Sequence, residues 1–270
     1  MKYEREHAVI ARVLIDKPPT KPEELHMTTI KRWRKAQKYE QSYWKKTAEK
    51  IVTGSAGQLG WYKWKFTEME KRLLPHIDKE RYDSYNILEI GCGPIGIINY
   101  INRGNRYGLD PLEKFYRSNE TLTKLRDPRV QYLEGAGERI PFEEDFYDLV
   151  ISDNVLDHVY DTHVVMNEVF RVLKPGGFLY LIVNLRTRFG TNIHKILSKL
   201  MIDKGHPHSY DVLTIRKLIG RFQLSLLSEW ISDSREARSR DIRSPSVKEK
   251  IKGYTGLSEF PYFAVFRKLK

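Results

Sequence analysis

A single cysteine, Cys92, stands among 270 residues, which excludes an internal disulfide and fits a reducing compartment. No apolar run approaches the roughly 20 residues needed to cross a bilayer. The opening Met1-Lys-Tyr-Glu-Arg-Glu6 also lacks the apolar stretch of a signal peptide. The expectation is a cytoplasmic protein with no membrane span. Internal repeats are absent as well, and with 40% hydrophobic and 30% charged residues the chain as a whole is not disordered. Acids are outnumbered by bases, 35 to 47, for a net charge of +12 that invites a nucleic-acid or anionic-membrane reading. The excess is uneven: between Lys31 and Lys50 there are eight Lys or Arg against two Glu, and elsewhere it is spread thinly.

What is present is a glycine turn between a strand and a helical pattern. In Asn86-Ile-Leu-Glu-Ile-Gly-Cys-Gly-Pro-Ile-Gly96, the residues Ile87, Leu88 and Ile90 read as a buried strand. Gly91, Cys92 and Gly93 turn the chain toward a helix from Ile95. Glycine is needed where backbone must approach a ligand or adopt dihedrals closed to other residues. Arg106-Tyr-Gly-Leu-Asp110 then ends a second apolar stretch on a carboxylate suited to ribose hydroxyls. Taken alone, the three glycines could also serve only strand-to-helix packing, and Asp110 could be a helix-capping acid.

Around this centre the chain divides into an extended arm (1–25), a helical cap (26–80) and an α/β domain (81–270) with an insertion at 185–210. Lys17-Pro-Pro-Thr-Lys-Pro22 cannot be helix interior. A helix is predicted from His26 to Lys50 with Thr28 or Thr29 as N-cap, broken by Gly54-Ser-Ala-Gly57. A second, from near Leu59, repeats Tyr62, Phe66, Met69 and Leu73 and stops at Pro75. Beyond Asp110 the pattern alternates: helix 112–125, strand 129–134, strand 147–152, helix 162–173, strand 178–183. Lys174-Pro-Gly-Gly177 stops the last of these helices. Then come a short helix 192–202, a Gly205-His-Pro-His-Ser209 loop, a helix to Gly220 and strands at 222–231 and 260–266. The polar stretch 232–253 between those two strands reads as a mobile loop. Apolar strands alternating with helices indicate a doubly wound, mostly parallel sheet.

Five segments in order now resemble one family: Ile87-Leu-Glu-Ile-Gly-Cys-Gly93, Gly108-Leu-Asp110, Ile140-Pro-Phe-Glu-Glu-Asp-Phe-Tyr-Asp148, Asn154-Val-Leu-Asp-His158 and Val172-Leu-Lys-Pro-Gly-Gly177. They are similar to the motifs of class I S-adenosylmethionine-dependent methyltransferases, in the small-molecule branch acting on quinones, sugars and natural products. Glu89 and the 141–148 segment speak against the competing nicotinamide-binding fold. The resemblance implies a seven-stranded Rossmann-like sheet of order 3-2-1-4-5-7-6 with an antiparallel last strand. It implies S-adenosylmethionine as cofactor and methyl transfer to a small-molecule acceptor, most simply O-methylation of a sugar or natural-product-like substrate. An RNA (tRNA) methyltransferase and a non-catalytic cofactor-binding interaction module stay open as alternatives.

Carried over residue by residue, the resemblance puts Glu89, Gly91, Cys92, Gly93 and Asn154 around the amino acid and ribose portions, with Asp110 on the ribose. Leu112, Ala136 and Gly137 fall at the adenine. From the residues alone, Glu89 could equally be a buried acid with a local partner, and Cys92 a small packing residue. Ala136 stands where the family commonly has aspartate, so backbone of Ala136 and Gly137 is expected to read the adenine, while Glu138 either substitutes for that aspartate or, as expected, points to solvent. His158, Asp157 and Asn184 match acceptor-facing catalytic positions, and an imidazole, with its ordinary pKa near about 6.5, suits a general base. His158 could also simply pack or cap a helix. Tyr43, His206 and His208 are candidate substrate contacts. His206 and His208 with Asp203 nearby have the look of metal ligands, but no fourth ligand is apparent, and no metal is expected. The Trp33, Tyr39, Tyr43 and Trp44 stripe is open to packing, to a lid over the ligands or to a nucleic-acid platform.

Overall fold

The computed structural model describes residues 28–54, 59–200 and 202–269. The arm expected over 1–25 and most of the 54–57 turn lie outside the described residues. Thr29 opens α1 (Ile30–Val52), its Oγ1 accepting the Arg32 amide at 3.1 Å. The helix buries Trp33, Ala36, Trp44 and Ala48 and leaves Tyr39 and Tyr43 exposed. Helix α2 (Trp61–Leu73) buries Tyr62, Met69 and Leu73, as their spacing predicts.

A seven-stranded sheet follows, with strands β1 (Asn86–Ile90), β2 (Asn105–Asp110), β3 (Val130–Glu134), β4 (Tyr147–Asp153), β5 (Leu173–Leu185), β6 (Leu224–Ile231) and β7 (Phe260–Lys268). Their order is β3-β2-β1-β4-β5-β7-β6. Strands β1 to β5 pair in parallel, and β7 runs antiparallel to both β5 and β6. This is the expected class I methyltransferase topology. Because side chains alternate across a strand, the sheet carries two cores. Leu88, Val150, Leu179 and Leu181 pack under α5 (Thr162–Val172) and α7 (Val212–Ile219). Ile87, Leu149, Ile151 and Ile182 share the other core with Met69 and Leu73 of α2 and Trp44 of α1.

Four local expectations are corrected. The helix predicted from Ile95 is one 3-10 turn, Ile97–Tyr100, because Ile101 is already extended and β2 begins at Asn105. Helix α2 supplies the missing cover, sharing a cluster with Ile97 and Ile98. The 112–125 helix splits into α3 (Glu113–Arg117) and α4 (Glu120–Thr123), since Asn119 leaves helical geometry to cap the second with its side chain. Lys174-Pro-Gly-Gly177 does stop α5, but it lies within β5, with a register irregularity against β4. The 232–253 stretch is two helices, α8 (Ser234–Arg243) and α9 (Val247–Thr255), capped by Asp233 and Ser246. Polarity around both helices hid their period; Gly253 meets Ile242 of α8 so closely that an added Cβ would lie 2.7 Å from its Cγ1. The remaining helix, α6 (Arg188–Lys199), starts four residues before the sequence expectation of Asn192. No helix among the described residues is long and apolar enough to cross a membrane.

Candidate active site

A cleft of about 230 Å³ opens at the carboxyl ends of β1, β2 and β4, with α1 and α2 contributing Trp33, Trp44, Trp61 and Tyr62 to its wall. The glycine turn forms a further part of the lining, against these aromatics. Gly91 and Gly93 have φ of +59° and +61°, and a Cβ would fall 2.5 Å from Val155 Cγ2 at the first and 2.8 Å from the Tyr62 hydroxyl at the second. Glycine is therefore required twice over, by dihedral and by space. Asp110 braces the turn: Oδ2 accepts the Gly93 amide at 2.9 Å and Oδ1 accepts the Leu112 amide at 2.8 Å. A carboxylate has lone pairs to spare for further donors.

Carboxylates crowd this cleft. Glu40, Glu89, Asp110, Glu138 and Asp153 line it against Lys65 and His158. Burial pushes Glu89 up to about 8, although Oε2 accepts the Ile98 amide at 2.7 Å. Burial likewise raises Asp110 to about 7. Asp153 is raised by burial too, against the opposing pull of Lys65, whose Nζ lies 2.6 Å from Oδ2. Asn154 is held at φ +52° and gives its amide to Ile182 O, while its Oδ1 is buried without a partner. Acids at this density, with an orphaned acceptor beside them, suit a ligand bearing ammonium and sulfonium charges and hydroxyl donors. The residues present fit S-adenosylmethionine.

The candidates named from sequence divide. Glu89, Gly91, Gly93, Asp110, Leu112, Ala136, Gly137, Asn154, His158 and Tyr43 all line the cleft. Cys92 does not: its thiol is buried, near enough to Gly108 that an added Cβ there would stand 2.9 Å from Sγ, and burial raises its pKa well above the ordinary value. Asn184 is also off the wall, because β5 continues to Leu185 and Asn184 pairs with Pro261 of β7. Asp157 is buried behind the wall. His208 anchors its loop instead of reaching the cleft, with Nε2 2.9 Å from Val159 O, and burial lowers its pKa to about 4. Glu138 turns inward, its Oε1 accepting the Tyr160 amide at 2.6 Å. Sequence reasoning missed Lys65 and Asp153. Asp153 closes β4, where a strand-end carboxylate is a recognisable signal; Lys65 carries no such signal.

His206 also misses the wall, but its ring packs at a tilt against that of His158, with centroids 4.7 Å apart. His158 Nδ1 is 3.1 Å from Gly205 O, an acceptor only, so in the neutral ring the proton sits on Nδ1 and Nε2, 3.8 Å from Asp157 Oδ1, is the acceptor. His206 Nδ1 lies 3.1 Å from Asp203, whose Oδ2 is 3.0 Å from His194 Nε2. Burial opposes charge on His206, yet the hydrogen bond to Asp203 and the nearby Asp157 outweigh it and raise the imidazole to about 9. For Asp203, burial is likewise outweighed by hydrogen bonds to His194 and His206, and its carboxyl is held well below the usual range. Arg32 of α1 clamps the same loop, donating to the Asp203 and Lys204 carbonyls at 2.6 and 2.8 Å.

Residues 88–181 match the family described as a methyltransferase domain. An uncharacterized methyltransferase of Schizosaccharomyces pombe is 32% identical over 104 residues, covering 34% of this chain and 37% of its own length. The mitochondrial 2-methoxy-6-polyprenyl-1,4-benzoquinol methylase of Dictyostelium discoideum is 24% identical over 62% of this chain and 55% of its own length. This chain thus spans about a third to a half of these relatives. Among solved structures, geranyl diphosphate C-methyltransferase from Streptomyces coelicolor superposes with a TM-score of 0.56 at 16% identity, over 75% of this chain and 78% of that one.

Proposed function

We propose that this chain, whose residues 88–181 match a methyltransferase domain, is a class I S-adenosylmethionine-dependent methyltransferase that methylates an oxygen of a small-molecule acceptor of sugar or natural-product-like kind. The observation that carries the reading is an acid-lined cleft walled by aromatics with one imidazole among the described residues, His158, on its surface. Asp110 accepts from the ribose, Glu89 and the free Asn154 Oδ1 receive the amino end, and Leu112, Ala136 and Gly137 border the adenine. When bound, the cofactor supplies a methyl carbon on a sulfonium, open to in-line displacement. Trp44, Trp61 and Tyr62 exclude water from that carbon. His158 meets the acceptor hydroxyl with its bare Nε2, and Asp157 behind it stabilises the charge that proton transfer creates. Similarity to a protein named as a benzoquinol methylase supports a small acceptor over a polynucleotide.

Calorimetry with S-adenosylhomocysteine, followed by labelled methyl transfer to a panel of sugars, phenols, quinols and tRNA, tests the reading. Binding with label in a hydroxyl acceptor is the expected result. His158→Ala should lower turnover by roughly 10²–10⁴-fold and spare cofactor affinity. No binding at millimolar cofactor overturns the proposal. Label in tRNA, with affinity falling steeply with salt, would replace the acceptor, and binding without turnover on any acceptor would leave an interaction module.

A further inference from the structure

One carboxylate oxygen of Asp157 and one ring nitrogen each of His158 and His206 lie within 4.8 Å of one another, and nothing in cofactor binding uses Asp157 or His206. We propose that Asp157, His158 and His206 bind a divalent transition-metal ion at the back of the cleft, and that this ion takes the acceptor oxygen as a further ligand. The inference rests on the methyl-transfer reading for the end of the cleft that meets the acceptor and replaces one part of it, the proton acceptance assigned above to His158 Nε2.

Three observations converge on these residues. Asp157 is 4% exposed and its Oδ1 accepts no hydrogen bond, the His158 Nε2 lying 3.8 Å away, so a buried carboxylate oxygen faces the cluster unsatisfied. Both imidazoles are committed through Nδ1, His158 to the Gly205 carbonyl and His206 to the Asp203 carboxylate, which leaves Nε2 of each to ligate, the ion displacing the Nε2 proton that His206 otherwise carries. An outer carbonyl or carboxylate on the far ring nitrogen is how ligand histidines are oriented and made more basic. The outer shell is itself built: His194 holds the second side of Asp203, and Arg32 holds the loop carbonyls.

Two imidazoles and one carboxylate suit zinc-class and other borderline divalent ions, and such a set leaves coordination positions open. Bonds of about 2.1 Å put ligand atoms roughly 3–4 Å apart, so the cluster closes on an ion by side-chain rotation of about 1 Å. In the competing set His194, Asp203 and His206 the facing atoms are already joined by hydrogen bonds at 3.0 and 3.1 Å, and of their buried atoms only His194 Nδ1 is without a partner. His158 belongs to the cleft wall, so an open position of the proposed ion faces the acceptor. With the ion bound, His158 is a ligand and not the proton acceptor. The hydroxyl proton then passes to solvent as the oxygen is polarised, a C–O bond forms, and the S–C bond breaks with its electron pair returning to sulfur.

The test is titration of the chelator-treated full chain with Zn²⁺ by calorimetry and with Co²⁺ by visible absorption, each with and without saturating S-adenosylhomocysteine. One ion per chain with a micromolar or tighter Kd, and a Co²⁺ ligand-field band, are expected. Asp157→Asn and His206→Ala should each weaken the affinity at least tenfold with S-adenosylhomocysteine affinity unchanged, whereas His76→Ala, on the exposed surface, should change neither. Should Asp157→Asn fail to fold, His206→Ala carries the test. No stoichiometric binding, or binding indifferent to both substitutions, overturns the site even if methyl transfer proceeds. Metal binding without cofactor binding would instead overturn the methyltransferase reading and leave the site standing.

Discussion

Lys65 Nζ stands 2.6 Å from Asp153 Oδ2, tying α2 to the carboxyl end of β4 across the cleft. Asp153 is buried and Lys65 partly so, which makes the pair expensive to break from the lysine side, since that leaves the buried carboxylate alone. Lys65→Met should destabilise the fold by about 3 kcal/mol, and the double change Lys65→Met with Asp153→Asn should recover part of that. A double-mutant cycle in urea measures it; additive losses would show that the two residues are not coupled.

Gly96 predicts a second loss. Its φ of 71° and ψ of 175° belong to a region open essentially to glycine, and a Cβ there would stand 2.4 Å from Glu89 Oε2. Gly96→Ala should therefore cost about 2 kcal/mol and weaken cofactor binding by moving the Glu89 carboxylate. Thermal unfolding and calorimetry on one preparation read both effects, and an unchanged melting temperature would contradict the geometry.

Acidity in the cleft sets a pH dependence. Glu89 at about 8 and Asp110 at about 7 lie above the roughly 4 of carboxylates in an unfolded chain. Between those values the folded state holds more protons than the unfolded one, so these two groups make stability fall as pH rises. Their contribution is complete below about pH 4 and is lost through 7 and 8. The melting temperature of the cofactor-free chain should decline by several degrees between roughly pH 5 and pH 9 relative to Glu89→Gln. A steeper decline in the Glu89→Gln variant than in the parent would reverse the assigned sign.

Of the five tryptophans, Trp33, Trp44 and Trp61 line the cleft, and Trp44 and Trp61 stack with centroids 6.3 Å apart. Cofactor binding should quench intrinsic fluorescence, and Trp44→Phe should remove the largest part of the change. Quenching that survives this substitution intact would place the ligand away from α1.

The glycine turn, Asp110 and the strand order were legible because each follows from local chemistry: a strand end, a required positive φ, an apolar run too continuous to face water. The 3-10 turn at Ile97 was not, since its brevity depends on α2 arriving from elsewhere in the chain to cover the sheet. Lys65 was equally hidden, because nothing about a lysine in an amphipathic helix announces a partner 88 positions away. The cluster of Asp157, His158 and His206 was half visible. Histidines 206 and 208 drew attention as a pair, but His208 is held by Val159 O, and the ring that meets His206 comes from the loop after β4.

The antiparallel β7 has a consequence for how the chain is made. It fills the slot between β5 and β6, so β5, apolar and buried along most of its length, emerges with one edge unpaired and stays so until Phe260–Lys268 has been synthesised. At roughly 5–20 residues per second, that edge waits about 4–17 s on the ribosome. During that interval the cofactor half of the sheet can already assemble, while an open strand beside it is exposed to pairing with a neighbouring nascent chain. Production of this protein should accordingly be sensitive to translation speed and chaperone supply more than to the stability of the finished fold.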